Sequence, residues 1–130
     1  MGMNPVHSIA LGGLRTASLR LAVSADNIAN ALTSRPVETL GETPPGVYEP
    51  KQVEQSSLAN GGVKALIRPV DPASFLIPDP TSPTGLAAFP NVDIVNEIVQ
   101  LLIAESSFRA NIEVLRTEAR MGQALLDIRA

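Results

Sequence analysis

Few residues in this sequence could carry catalytic or metal-binding chemistry. The chain has one histidine, His7, and no cysteine, so thiolate chemistry, disulfides and cysteine metal sites are excluded. A metal site would have to be built from carboxylates alone, and a lone histidine near one end is more often a packed or half-exposed side chain than a base or ligand. We therefore expect no catalytic residue, no bound metal and no cofactor.

Two other patterns that can mark active sites are present only in part. The serine pairs at 56–57 and 106–107 have no base nearby in the sequence, so neither predicts a nucleophile. The pairs Gly12-Gly13 and Gly61-Gly62 lack the lysine and the strand–loop–helix context of a phosphate-binding loop. With a net charge of −3 and a pI of about 5.0, the chain has no basic stripe for nucleic acid. A structural role without a small-molecule substrate is favoured.

The clearest element is a helix predicted over 91–130. Asn91 or Asp93 can cap its first turn, and at 1.5 Å per residue the helix would be about 57 Å long. Its seam has the 4-3 spacing of a coiled coil, at Ile94, Ile98, Leu101, Glu105, Phe108, Ile112, Leu115, Ala119, Gly122 and Leu126. Further apolar residues lie off this seam: Val95, Val99, Leu102 and Ile103. A helix that is apolar on several sides must be buried on several sides, so we expect other molecules to cover part of it.

One position of this seam, Glu105, is charged. Arg109 follows four residues later, at the spacing of a stabilising ion pair, so we interpret Glu105 first as a charge at the edge of the packing. The alternative is a determinant of register or partner choice, as polar seam residues can be. Glu113 and Arg116 form a second candidate pair.

A second helix is predicted at the N-terminal end. It should begin at Asn4-Pro5, because asparagine is a good N-cap and proline fits the first helical position, and it should end between Asn30 and Leu32. Its seam has the same 4-3 spacing, with smaller side chains, at Ala10, Leu14, Ala17, Leu21, Ser24, Ile28 and Ala31. Small residues facing large ones let two helices approach closely.

The middle of the chain, from residue 34 to 90, has a different composition. The segment from 33 to 90 holds ten of the eleven prolines, so a long helix is impossible there. The turn signal Asn60-Gly61-Gly62 predicts a β-hairpin over about residues 50–69, and residues 74–77 are predicted as a third strand. The segments 35–46 and 78–85 are predicted as an irregular loop and a proline-rich exposed loop.

The predicted fold is therefore mainly α with a small β insert. The long N- and C-terminal helices pair as an antiparallel coiled coil, and the middle is Pro-rich and contains a β-hairpin. Residues 1–33 and 91–130 form one discontinuous core domain, and residues 34–90 form the insert, which is too small for a core of its own.

Several segments resemble a known family. The signature near the N-terminus of bacterial flagellar axial proteins, in rod and hook alike, is similar to Ser24-Ala25-Asp26-Asn27-Ile28-Ala29-Asn30. Residues 90–98 and the run Ser107-Phe108-Arg109-Ala110-Asn111-Ile112-Glu113-Val114-Leu115 resemble proximal rod proteins of the FlgC type, as do Tyr48, Lys51-Gln52-Val53 and Gly61-Gly62-Val63-Lys64 between them. Phe108 stands where that family has tyrosine, and the loop 35–46 has no close counterpart in it.

The resemblance implies a structural subunit of the flagellar basal-body rod. Such proteins are exported unfolded through the flagellar type III apparatus without a cleaved signal, assemble in the periplasm, and transmit torque through a tube of terminal helices. The implied partners are copies of the chain, other rod proteins, and membrane-ring and export-gate components at the rod base. The expected assembly interface comprises Ala10, Leu14, Ala17, Leu21, Asn27, Ile28, Asn30, Ile94, Ile98, Leu101, Glu105, Phe108, Asn111, Ile112 and Leu115.

Three alternatives stay open at this stage: another small rod subunit, a secreted coiled-coil adaptor or export partner, and a soluble enzyme or ligand-binding domain. The adaptor would not need the β-rich insert, and the enzyme would need a constellation of polar groups that the sequence does not offer. The run Ala22-Val23-Ser24-Ala25 resembles a signal cleavage site, but Arg15 and Arg20 interrupt the segment before it, so no cleaved signal is expected. No stretch reaches the roughly 18 apolar residues of a membrane span.

Overall fold

Two long helices from the two ends of the chain are joined through five short strands. The computed structural model describes residues 4–129. In chain order the elements are α1 (Pro5–Asn30), β1 (Arg35–Pro36), β2 (Lys51–Ser57), β3 (Val63–Pro69), β4 (Ser74–Pro78), β5 (Leu86–Pro90) and α2 (Ile94–Arg129). The mainly helical architecture with a small β insert is confirmed.

Both helices begin at the caps that the sequence indicates. The Asn4 side chain accepts a hydrogen bond from the backbone N–H of Val6. The Asp93 carboxylate accepts from the N–H groups of Val95 and Asn96. Each cap satisfies N–H groups that have no partner inside the helix, so the start of each helix is fixed locally.

The helices run antiparallel, as three side-chain contacts along their length demonstrate. His7 Nδ1 lies 3.3 Å from Glu118 Oε2, Arg20 donates to Gln100 Oε1 at 2.6 Å, and Asn27 donates to Glu97 Oε1 at 2.9 Å. Residue numbers rise on α1 as they fall on α2. With 36 residues α2 is about 54 Å long, and it extends past the first turn of α1.

The contact between the helices is lined with small side chains. Ala10, Ala17 and Ser24 of α1 and Ala104 of α2 are buried, and a Cβ atom at Gly13 would overlap the Asn111 side chain.

The stripe of α2 that is not fully exposed comprises Glu97, Gln100, Leu101, Ala104, Ser107, Asn111, Ile112, Leu115 and Glu118. It only partly matches the predicted seam, and only Leu101, Ile112 and Leu115 are common to both. The helices meet where the small residues allow the closest approach, and the larger seam residues lie beside that line.

The predicted hairpin is confirmed as β2 and β3. The strands pair antiparallel with Val53 opposite Ile67, and Gly61 and Gly62 both have φ of +86°, a left-handed conformation that favours glycine. The hairpin lies along α1. Arg20 joins it to both helices, because it donates to Gln55 of β2 at 3.1 Å as well as to α2.

The third predicted strand exists as β4, but it belongs to a separate sheet. Strand β5, which the sequence did not predict, pairs antiparallel with β4 and with the two-residue β1, in the order β1-β5-β4. Small buried residues form its centre: Val37, Ala87, Ala88 and Pro90. The predicted proline-rich loop is the connection between β4 and β5, where Ser82 and Thr84 both donate to the backbone oxygen of Val37. Over residues 4–129, no helix has the length and apolar character to cross a membrane.

Candidate assembly surface

The residues predicted for the assembly interface fall into two groups. Those buried or half-buried within the protomer are Ala10, Leu14, Ala17, Asn27, Ile28, Asn30, Leu101, Asn111, Ile112 and Leu115. Those exposed are Leu21, Ile94, Ile98, Glu105 and Phe108. The first group supports the fold of the protomer itself, and the second group is accessible to a neighbour.

Several of these residues line one open groove along the helix pair. Leu21 of α1 lies on one side of it, and Leu101 and Phe108 of α2 lie on the other. At its rim Glu105 and Arg109 form an ion pair of 2.6 Å, as the first interpretation of Glu105 required. An exposed pair of this kind contributes only a few tenths of a kcal/mol to stability.

A second apolar surface lies on the side of α2 opposite the buried Ala104, and it shares Leu102 with the groove. We call it the outer face of α2 and define it as Val95, Ile98, Val99, Leu102 and Ile103. Each of these side chains is at least 44% exposed, whereas Ala104 on the opposite side is buried. No charged residue occurs between 98 and 104. A contiguous apolar patch of this kind marks a surface that binds another protein or a membrane.

A buried polar cluster lies where the C-terminal end of α1 meets the first turn of α2. Asn27 is completely buried. Its Nδ2 donates to the backbone oxygen of Lys51 at 2.7 Å and to Glu97 Oε1 at 2.9 Å, and its Oδ1 accepts from the Lys51 N–H at 3.1 Å. One amide therefore binds α1, β2 and α2 together, with its donors and acceptor satisfied.

Tyr48 completes this cluster. Its hydroxyl lies 2.9 Å from Asn27 Oδ1 and 3.0 Å from Asp26 Oδ2. Burial raises the pKa of Tyr48 to about 12, and the hydrogen bond to Asp26 and the charges of Asp26 and Glu97 act in the same direction. A tyrosine that holds its proton this firmly is a structural hydrogen-bond donor and would be a poor general acid.

The side chains of the other two asparagines of the predicted interface form hydrogen bonds within their own helices. Asn30 donates to the backbone oxygen of Asp26 at 3.0 Å, and Asn111 donates to that of Ser107 at 2.8 Å. The sequence reasoning missed Tyr48 and Glu97 as members of the Asn27 cluster. Their only signal was the position of Tyr48 and of residues 90–98 in the segments that resemble rod proteins.

The described residues offer no arrangement for catalysis. His7, half-exposed, has Glu118 as its side-chain partner, and among residues 4–129 no three His, Asp or Glu side chains come together as a metal site would need. What the geometry does provide is an exposed apolar helix face on a rigid helix pair, which can bind another protein surface.

A comparison with protein families matches the C-terminal part of the chain. Residues 85–128 match the family model described as flagellar basal body rod FlgEFG protein C-terminal. This segment contains β5 and almost all of α2, so it includes the outer face of α2.

Individual relatives match along nearly the whole chain. The flagellar basal-body rod protein FlgC of Salmonella typhimurium is 34% identical over 93% of this chain and 93% of its own length. That of Yersinia enterocolitica is 34% identical over 90% of each chain. That of Bacillus subtilis is 29% identical, over 97% of this chain and 99% of the relative.

Proposed function

The chain belongs to the FlgC family of flagellar basal-body rod proteins, and we propose that it builds the rod by packing its two terminal helices against those of neighbouring subunits. It is a structural subunit of the basal-body rod and not an enzyme. Our proposal concerns the way in which the subunit assembles, the partners that it meets and its place in the cell.

The outer face of α2 is the observation that carries the proposal. Burying a large aliphatic side chain contributes about 1.5–3 kcal/mol, and five such side chains stand exposed together on this face. The groove lined by Leu21, Leu101 and Phe108 offers a second apolar surface on the same helix pair. If a neighbour's helix covers the groove, the seam predicted from the 4-3 spacing becomes a contact between subunits, and a helix on the outer face covers the apolar residues that lie off this seam.

The same proposal names partners and a location. The chain binds copies of itself and other rod proteins through these surfaces, and it meets membrane-ring and export-gate components at the base of the rod. It is exported without a cleaved signal, lies in the periplasmic part of the basal body, and transmits torque through the packed helices. Support for these details comes from the relatives, which are basal-body rod proteins.

The test is a single charge on the outer face of α2. Leu102 is 60% exposed, so Leu102→Asp should leave the protomer folded but should place an unpaired carboxylate in the proposed contact, at a cost of several kcal/mol. In a strain that lacks the wild-type gene, we expect this variant to give no swimming and no rods in electron micrographs of purified basal bodies.

Ser34→Asp is the matched control. Ser34 is exposed in the connection between α1 and β1, outside both helices, so the same carboxylate there should be tolerated. Far-UV circular dichroism of both purified variants establishes that they fold. Normal swimming by the Leu102→Asp strain would overturn the packing proposal.

A further inference from the structure

The loop 38–42 carries an exposed leucine between two carboxylates. Leu40 is 70% exposed, and Glu38 and Glu42 are exposed two residues before and after it. The N–H of Glu42 donates to the backbone oxygen of Thr39 at 3.3 Å, so the segment forms a turn that projects Leu40. Within residues 4–129, neither glutamate forms an ion pair.

A groove of complementary character lies between α1 and the tip of the β2–β3 hairpin. Its apolar lining includes Ile9, Leu19 and Leu58, and its charged lining residues are Arg15 and Lys64. No Asp or Glu lines it, and neither cation forms an ion pair with any carboxylate of the described residues. The groove therefore suits an apolar side chain that carries negative charges on either side.

The loop and the groove cannot meet within one protomer. The loop follows the C-terminal end of α1, whereas the groove includes Gly12 and its neighbours in the first half of that helix. The helix rises about 27 Å from Gly12 to Asn30. Any contact between the two surfaces must join different copies.

We propose that Leu40 of one copy inserts into the groove between α1 and the hairpin of a second copy, with Glu38 and Glu42 pairing with Arg15 and Lys64. This inference rests on the proposed assembly and adds a contact outside the helix core. The two surfaces differ and lie at different ends of the molecule, so the contact is head-to-tail. Contacts of this kind extend in an open series, as a rod requires.

Disulfide cross-linking tests this contact directly, because the chain has no cysteine of its own. One copy carries Leu40→Cys and the other carries Leu58→Cys, and both are produced in a strain without the wild-type gene. Basal bodies are purified and oxidised with copper phenanthroline. We expect a disulfide-linked dimer of the two copies.

Leu32 provides the matched control. It is 80% exposed and lies outside the loop, so Leu32→Cys with Leu58→Cys should give no dimer above background. Basal bodies that contain the chain but give no Leu40–Leu58 dimer above this background overturn the contact and leave the proposed function intact. Absence of the chain from basal bodies would instead overturn the proposed function.

Charge reversal tests the ionic part of the proposal. Glu38→Lys with Glu42→Lys on the Leu40→Cys copy should lower the cross-linked fraction about tenfold, because two weak surface attractions become repulsions. Combining that copy with a Leu58→Cys copy that also carries Arg15→Glu and Lys64→Glu should restore the fraction to within about twofold. If the lysine substitutions lower the cross-linked fraction but the glutamate substitutions on the second copy do not restore it, another segment occupies the groove. That result would overturn the proposal.

Discussion

Asn27 is the residue that joins the most elements. Its amide meets both the N–H and the carbonyl of Lys51, in the way that a neighbouring strand would, and it also reaches Glu97. Because the site is fully buried, water cannot replace these bonds if the amide is removed, and unpaired buried polar groups cost about 1–3 kcal/mol each.

Asn27→Ala should therefore destabilise the isolated chain strongly. We expect a loss of about 2–4 kcal/mol in the free energy of unfolding, since Lys51 and Glu97 lose their partner. Asn30→Ala is the control, because the Asn30 side chain bonds to Asp26 one turn earlier in the same helix, and losing it should cost less than about 1 kcal/mol. Urea unfolding followed by circular dichroism measures both. Equal losses would mean that the cluster contributes no more than an ordinary surface asparagine.

Tyr48 gives a prediction about pH, because it is the chain's only tyrosine. Its tyrosinate absorbance should titrate near pH 12 in the folded chain and near its ordinary value of 10.0 in urea. The folded state thus holds the proton that the unfolded state releases, so the unfolding free energy must fall as pH rises from about 10 to about 12. Tyr48→Phe should remove that part of the fall. A folded titration midpoint near 10 would contradict the structure of the cluster.

From the sequence, only the family resemblance indicated that Asn27 and Tyr48 matter. An asparagine in mid-helix and a tyrosine in a loop add nothing to hydrophobic periodicity, and their partners are distant in the chain. Glu97 lies in the first turn of α2, where a carboxylate suits the helix dipole. Its second role, as acceptor of the hydrogen bond from Asn27, could not be predicted from neighbouring residues because Asn27 is distant in the chain.

At the scale of elements, the helix ends and the hairpin were predictable because their causes are local. Asn4, Asp93 and the glycines of the β2–β3 turn act within a few residues of where they stand. Strand β5 was missed because Leu86–Pro90 is dominated by two alanines and shows no alternation. Those alanines form the buried centre of the sheet, where larger residues would not fit.

The contacting faces of the helices were predicted only in part. Periodicity detects large apolar residues, but Gly13 and Ala104, which are buried where the helices pack, carry almost no such signal. It also does not separate contacts within a protomer from contacts between protomers. Ile98 and Leu115 both lie on the predicted seam, yet Ile98 is exposed and Leu115 lies on the stripe beside α1.

Gly13→Ala tests this close approach. The new methyl group would overlap the side chain of Asn111, which is held by its bond to Ser107. We expect a net loss of about 1–2 kcal/mol, although alanine favours the helix. Adding Asn111→Ala should recover stability relative to the single variant. Gly122→Ala, with nothing within 4 Å, is the control and should stabilise by up to about 1 kcal/mol. Equal effects at both glycines would contradict the close contact.

The protomer exposes large apolar side chains on several surfaces, among them the outer face of α2, strand β4 and the last turns of α2. The paired helices bury small residues against each other, and many of the large apolar side chains stay exposed. The sequence alone could indicate that α2 needs several neighbours. It could not divide the seam between the protomer and those neighbours, because that division depends on where the backbones approach most closely.

The last turns of α2 show what assembly should change. Glu118 is the last half-buried residue, beside His7, and every described side chain from Ala119 to Arg129 is exposed. A helix segment without tertiary packing is only marginally stable in water. In the isolated chain, amides of residues 119–129 should therefore exchange with deuterium much faster than those of residues 98–118.

A chain that ends at Glu118 tests the consequence. Its free energy of unfolding should differ from that of the full chain by less than about 1 kcal/mol, because the removed residues bury little surface. The same truncation should abolish rods, since Met121, Leu125 and Ile128 would no longer reach a neighbour. Hydrogen exchange in purified basal bodies should then show protection of residues 119–129 that the isolated full chain lacks. If the isolated chain already protects this segment as well as residues 98–118, its order comes from the protomer and assembly adds nothing to it.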